Sequence, residues 1–98
     1  MRMDHQTFLD SLSLDKAPSN LTPLQEAMWH DGKGDWHAAH EIAQDVESPE
    51  GAWIHAYLHR KEGDIWNANY WYRRAGRSLP GESLQEEWHT IVAALFSA

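Results

Sequence analysis

With 98 residues and no cysteine, the chain has room for one core only, and disulfide frameworks, thiolate nucleophiles and cysteine-based zinc sites are excluded. A formal net charge of −7 excludes a general nucleic-acid binder, because affinity for the phosphate backbone comes from clustered Lys and Arg. No apolar run approaches the roughly 20 residues that span a bilayer, and residues 1–10 lack an apolar signal core, so a cytoplasmic protein with no membrane partner is expected.

Six Trp, three Tyr and two Phe allow a small core built largely of rings, each removing roughly 150–250 Å² from water. The charge is uneven: residues 1–51 carry ten acids against three bases, whereas 52–81 carry Arg60, Lys61, Arg73, Arg74 and Arg77 against Glu62 and Asp64. One end of the molecule is therefore expected to be locally basic.

In chain order, Phe8 and Leu12 stand four apart within residues 4–14, the spacing of a short helix laid on a core, and Pro18 ends it. Thr22, Pro23 and Gln25 form a capping box with proline at the first helical position. They predict a helix from Pro23 to about Asp31, stopped by Gly32-Lys33-Gly34. Asp35 caps a second helix from Trp36 to about Val46, with the apolar stripe Trp36, Ala39, Ile42-Ala43 and Val46. Ser48-Pro49 opens a third helix to about Glu62. After the Gly63-Asp64 turn a fourth runs from Ile65 to about Arg77, with Ile65, Ala68, Tyr72 and Ala75 as its buried stripe, and Leu79-Pro80-Gly81 breaks it. Ser83 with Glu86 opens a last helix, about 84–96. No segment alternates with period two, so an all-α fold is expected.

Sliding residues 24–46 onto 53–75, an offset of 29, aligns Ala27 with Ala56, His30 with His59, Gly34 with Gly63, Asp35 with Asp64 and Ala39 with Ala68. These identities fall where a helix–turn–helix unit needs them, small residues at helix crossings and Gly-Asp for the turn and next cap. Gly63-Asp64, Ala68, Tyr72 and Ala75, ending in Pro80 and with Ala56 before them, resemble the second half of a tetratricopeptide repeat. The resemblance covers about 23–80. It implies two hairpins, about 23–47 and 49–78, with an N-terminal helix and a capping C-terminal helix. It further implies a short groove lined by Leu24, Met28, Asp31, Trp53, Tyr57 and Arg60 that holds a peptide or acidic tail. The phrases Trp36 to Glu41 and Trp53 to Asp64 also resemble a group of short uncharacterised microbial proteins, a resemblance that carries no activity.

Two kinds of site are open on this reading. His55 and His59 stand four apart on one helix, so their rings can converge on one ion, and His40 sits on the helix expected beside them. Three imidazoles with an open fourth position suit zinc or another borderline divalent metal, with Glu41 or Glu62 as a carboxylate partner. The plainer alternative is a set of buried neutral rings paired across the helix interface, needing no cofactor. The second kind is a binding surface for a protein or peptide segment or for a second copy, carried by Trp53, Tyr57, Arg60 and Lys61, with Trp66, Tyr70, Arg73 and Arg77 as an aromatic and basic stripe. Against it stands the reading in which Arg73 and Arg77 merely complement a helix C-terminus while Trp66 and Tyr70 pack under the last helix. No reaction is predicted, and binding is the expected function.

Overall fold

Each helix begins where a side-chain oxygen satisfies a free amide of its first turn. The computed structural model describes residues 3–97. Among them lie six helices and no strand: α1 His5–Ser11, α2 Pro23–Gly32, α3 Trp36–Gln44, α4 Pro49–Lys61, α5 Ile65–Arg74 and α6 Leu84–Leu95. Their N-caps are Asp4, Thr22, Asp35, Ser48, Asp64 and Ser83, and both expected capping boxes, Thr22 with Gln25 and Ser83 with Glu86, are formed. The fold is all-α.

Several ends fall short of the expected limits, for local reasons. α5 stops at Arg74 because Gly76 turns left-handed (φ 74°) and the Arg77 amide bonds back to the Tyr72 carbonyl at 2.8 Å. α1 stops at Ser11, and the free carbonyls of Leu12 and Leu14 both accept from Lys33 Nζ, at 2.7 and 2.9 Å.

The internal repeat is visible as two matching turns. Gly34 and Gly63 share φ 87°, and the Asp35 and Asp64 amides each donate to the carbonyl five residues back, His30 and His59, at 2.9 Å. Only glycine enters this conformation without a steric cost, which is why the offset of 29 preserves it. α2 therefore folds back on α3, and α4 on α5, while α3 packs against α4 and joins the two hairpins.

α4 is the central element. Residues 51–58 are all buried, so its polar members must find partners inside the protein. Its first turn passes so close to the preceding loop that a Cβ on Gly51 would overlap the Val46 carbonyl oxygen.

α6 lies over α2 and α4, and this decides the fate of the implied groove. Trp53 is 5% and Tyr57 2% exposed. They are core residues, and α6 packs over this face, leaving Asp31, Tyr57 and Lys61 to line a cavity of about 620 Å³ against Leu84 and Trp88 of α6. The seal is polar as well as apolar. Glu87 of α6, 1% exposed, accepts from Trp53 Nε1 at 3.2 Å, from the Tyr72 hydroxyl at 2.6 Å and from Arg60 at 2.8 Å. Buried Asp31 likewise accepts from the Tyr57 hydroxyl at 2.7 Å and from Lys61 Nζ at 2.9 Å. Phe8 of α1 completes the cover, packing on Trp88 and Phe96. No helix among the described residues is long and apolar enough to cross a membrane.

Candidate metal centre

The α3–α4 contact brings His40 of α3 against His55 and His59, one turn apart on α4. His55 and His59 stack with centroids 4.8 Å apart, as i,i+4 spacing dictates, and the His40 ring stands edge-on to both at 4.7 and 5.5 Å. His40 Nε2 and His55 Nε2 are 3.0 Å apart, so one neutral ring donates its proton to the other. One nitrogen from each of the three rings can be chosen so that all lie within 4.8 Å of one another.

Two tryptophans wall the cluster. Trp36 stacks on His40 (4.8 Å, 10° between planes) and is itself tied down by an indole hydrogen bond to the Leu58 carbonyl at 2.8 Å. Trp71 of α5 stacks on His55 at 4.1 Å. The resulting desolvation disfavours the charged rings. It pushes the His55 imidazole down to about 4, with the neighbouring His40 and His59 adding repulsion. His40 is lowered as well, first by burial and then by His59. Both therefore stand neutral at pH 7, the form that offers a lone pair to a metal.

His59 is oriented from the other side. Its Nδ1 lies 2.8 Å from Glu62 Oε1, an arrangement that fixes the tautomer and leaves Nε2 to the cluster. Of the two carboxylates considered from the sequence, Glu62 is the one in contact, and Glu41 is exposed. Asp64 also lies near His59 and Glu62, but its oxygens already cap α5 through the Asn67 amide and side chain at 3.2 and 2.6 Å.

The other singled-out residues go elsewhere. Trp53, Tyr57, Arg60 and Lys61 hold the carboxylates of Glu87 and Asp31. Arg77 lies over the Trp53 ring, 3.4 Å from its centroid. Trp66, 77% exposed, and Tyr70 stand on the open side of α5 with Arg73, so the expected packing of these rings under α6 does not occur. The reason is that α6 is drawn to the α2–α4 side by Glu87 and Trp88, whose indole donates to the Met28 carbonyl at 3.3 Å.

Sequence reasoning did not assign the two tryptophan walls. Trp36 carried a signal, standing four residues before His40, whereas nothing local couples Trp71 to His55. Comparison with protein-family models, with curated proteins and with solved structures finds no match.

Proposed function

We propose that this chain is a small helical domain that binds one divalent cation of borderline, zinc-like preference through His40, His55 and His59. The observation that supports it is the convergence of three imidazole nitrogens within 4.8 Å, two of them on rings that burial keeps neutral. In the metal-free state a shared hydrogen between His40 and His55 satisfies the pair, and a cation would take that hydrogen's place. Three nitrogen ligands leave at least one position for water or an exogenous ligand, the pattern of sites that exchange ligands rather than of closed structural ones. Glu62 supports the third ligand by holding the His59 ring in place through its Nδ1.

Isothermal titration of the metal-free chain with zinc, with native mass spectrometry of the product, tests this. One ion per chain is expected. His55→Ala and His59→Ala should each weaken binding by at least about 100-fold, and Glu62→Gln by roughly 10–100-fold, the effect usual for an outer partner. Zinc binding left intact in His55→Ala, or no binding at micromolar concentrations, rejects the centre and leaves the trio as polar packing.

A second reading is favoured by one observation, the exposed apolar row of Ile65, Trp66 and Tyr70 on α5. Two tetratricopeptide-like hairpins leave ends that a longer array would cover, and a second copy can cover them. The basic Arg73 and Arg74 beside this row and the acids of residues 1–51 give such a pair complementary charge. Sedimentation velocity should then show a dimer that Trp66→Ala with Tyr70→Ala converts to monomer at unchanged zinc stoichiometry; a wild-type monomer at about 100 μM, well above the micromolar Kd of a modest interface, rejects it.

A further inference from the structure

A cavity of about 410 Å³ lies between the α3–α4 connection, the start of α4 and the end of α5, within the size range of small-molecule sites. Its walls include Gln44, Glu47, His55, Trp71 and Arg74. Three features of its lining bear on what it could hold.

The first is His55, 7% exposed, which belongs at once to this wall and to the histidine cluster. A molecule in the cavity therefore touches a ring that the metal centre uses. The second is the flat surface offered by Trp71, held in place by its stack on His55 at 4.1 Å. The third is the state of Arg74. Its guanidinium meets the Tyr70 hydroxyl at 3.4 Å and lies near the Tyr70 and Trp71 rings, with its carbon 5.8 and 5.3 Å from their centroids. Among the described residues it pairs with no carboxylate. A guanidinium presents five N–H donors in a planar fork suited to one carboxylate, and the exposed Arg74 fork faces solvent with only the Tyr70 hydroxyl bonded to it.

The remaining polar walls narrow the ligand. Glu47 adds one negative charge, Gln44 one amide and Ser48 a hydroxyl already accepting from the Gly51 amide, so the cavity carries a single guanidinium opposed by a single carboxylate. That balance disfavours a dianion such as phosphate. It suits a monoanion whose other end donates hydrogen bonds.

We propose that this cavity takes a small monocarboxylate bearing a hydroxyl or amino donor, with the carboxylate on Arg74, the donor on Glu47 or Gln44 and the body against Trp71. Its assignment as the ligand pocket of the metal centre rests on the function proposed above, whereas the cavity's own chemistry does not.

The test is a titration of the full chain, metal-free and zinc-loaded, with glycolate, glycine and inorganic phosphate, followed by nitrogen–proton NMR. Glycolate or glycine should shift the Trp71 indole N–H saturably. Arg74→Gln should raise the Kd at least about tenfold, the scale of one charge-assisted pair, and Arg74→Lys should fall between because it keeps the charge and loses the fork. Zinc stoichiometry should not change in either variant. Absence of a saturable Trp71 shift up to about 10 mM, where a millimolar ligand would be mostly bound, overturns the proposal. So does phosphate binding as tightly as glycolate, or glycolate binding indifferent to Arg74→Gln. If glycolate binds through Arg74 while zinc does not bind at all, the pocket stands and the metal centre falls; zinc binding without glycolate binding gives the converse.

Discussion

Glu87→Ala is expected to cost about 3–5 kcal/mol, the range for removing one partner of a buried charge pair. The carboxylate is the meeting point of three elements: it accepts from Trp53 Nε1 and Arg60 on α4 and from the Tyr72 hydroxyl on α5. Without it the Arg60 side chain, only 17% exposed, keeps a second bond to the Glu82 carbonyl at 2.6 Å but loses its counter-charge. The buried Tyr72 hydroxyl and Trp53 indole lose an acceptor as well, and each unsatisfied donor adds to the cost. A domain of this size has only about 5–15 kcal/mol in total. The melting temperature should therefore fall by roughly 10–30 °C. Glu87→Gln keeps one acceptor and should cost markedly less. Urea unfolding of the three proteins checks this, and a loss under about 1 kcal/mol for Glu87→Ala would show that α6 is held by its apolar contacts alone.

Stability of the metal-free chain should fall as the pH drops from about 6.5 to about 4. An unfolded imidazole protonates near 6.5, whereas that of His55 in the fold resists protonation down to about 4, chiefly because of burial. In this window the unfolded chain binds more protons, so stability rises with pH. The contribution is fully present above about pH 7, is lost progressively below 6.5 and changes no further below about 4. At 1.36 kcal/mol per unit, the fall from 6.5 to about 4 makes the His55 share at most about 3.5 kcal/mol. His40 acts in the same direction.

Repulsion from His40 and His59 adds to the effect of burial on His55, so part of the loss depends on its neighbours. Glu41 and Glu62 act against it by favouring a charged His40. The capping carboxylates are separable: hydrogen bonds to the Thr7, Asn67 and Ser83 amides hold Asp4, Asp64 and Glu86 below their usual values. Their support is lost only at more acid pH, below about 4.5. Urea midpoints from pH 4 to 8 should show the histidine slope in the native sequence, a shallower one in His55→Leu and a steeper one with zinc present, because protons then displace the ion. An identical slope in His55→Leu would remove His55 from the account.

The helix starts and hairpin turns were legible because the groups that set them lie within four or five residues of one another. Thr22 reaches Gln25, Ser83 reaches Glu86, and the Gly-Asp pairs close their turns on the carbonyls of His30 and His59. The histidine cluster was legible in part. Spacing alone puts His55 and His59 on one face of a helix, and the hairpin order puts His40 on the neighbouring one.

The amino-acid sequence by itself determined the all-helical class, the two repeated hairpins and the candidate trio, since caps, glycine turns and i,i+4 spacing act locally. Tertiary structure decided which faces were left open. Trp53 and Tyr57, read as groove residues, are buried where α6 packs over them, and Trp66, read either as part of a binding stripe or as packed under the last helix, is left exposed. It also joined Glu87 to partners 15 to 34 residues away and Trp71 to His55. A side chain's neighbours across an interface depend on which helix covers it, and that choice is made by the sum of many weak burial terms over the whole chain, not by any pattern within one helix.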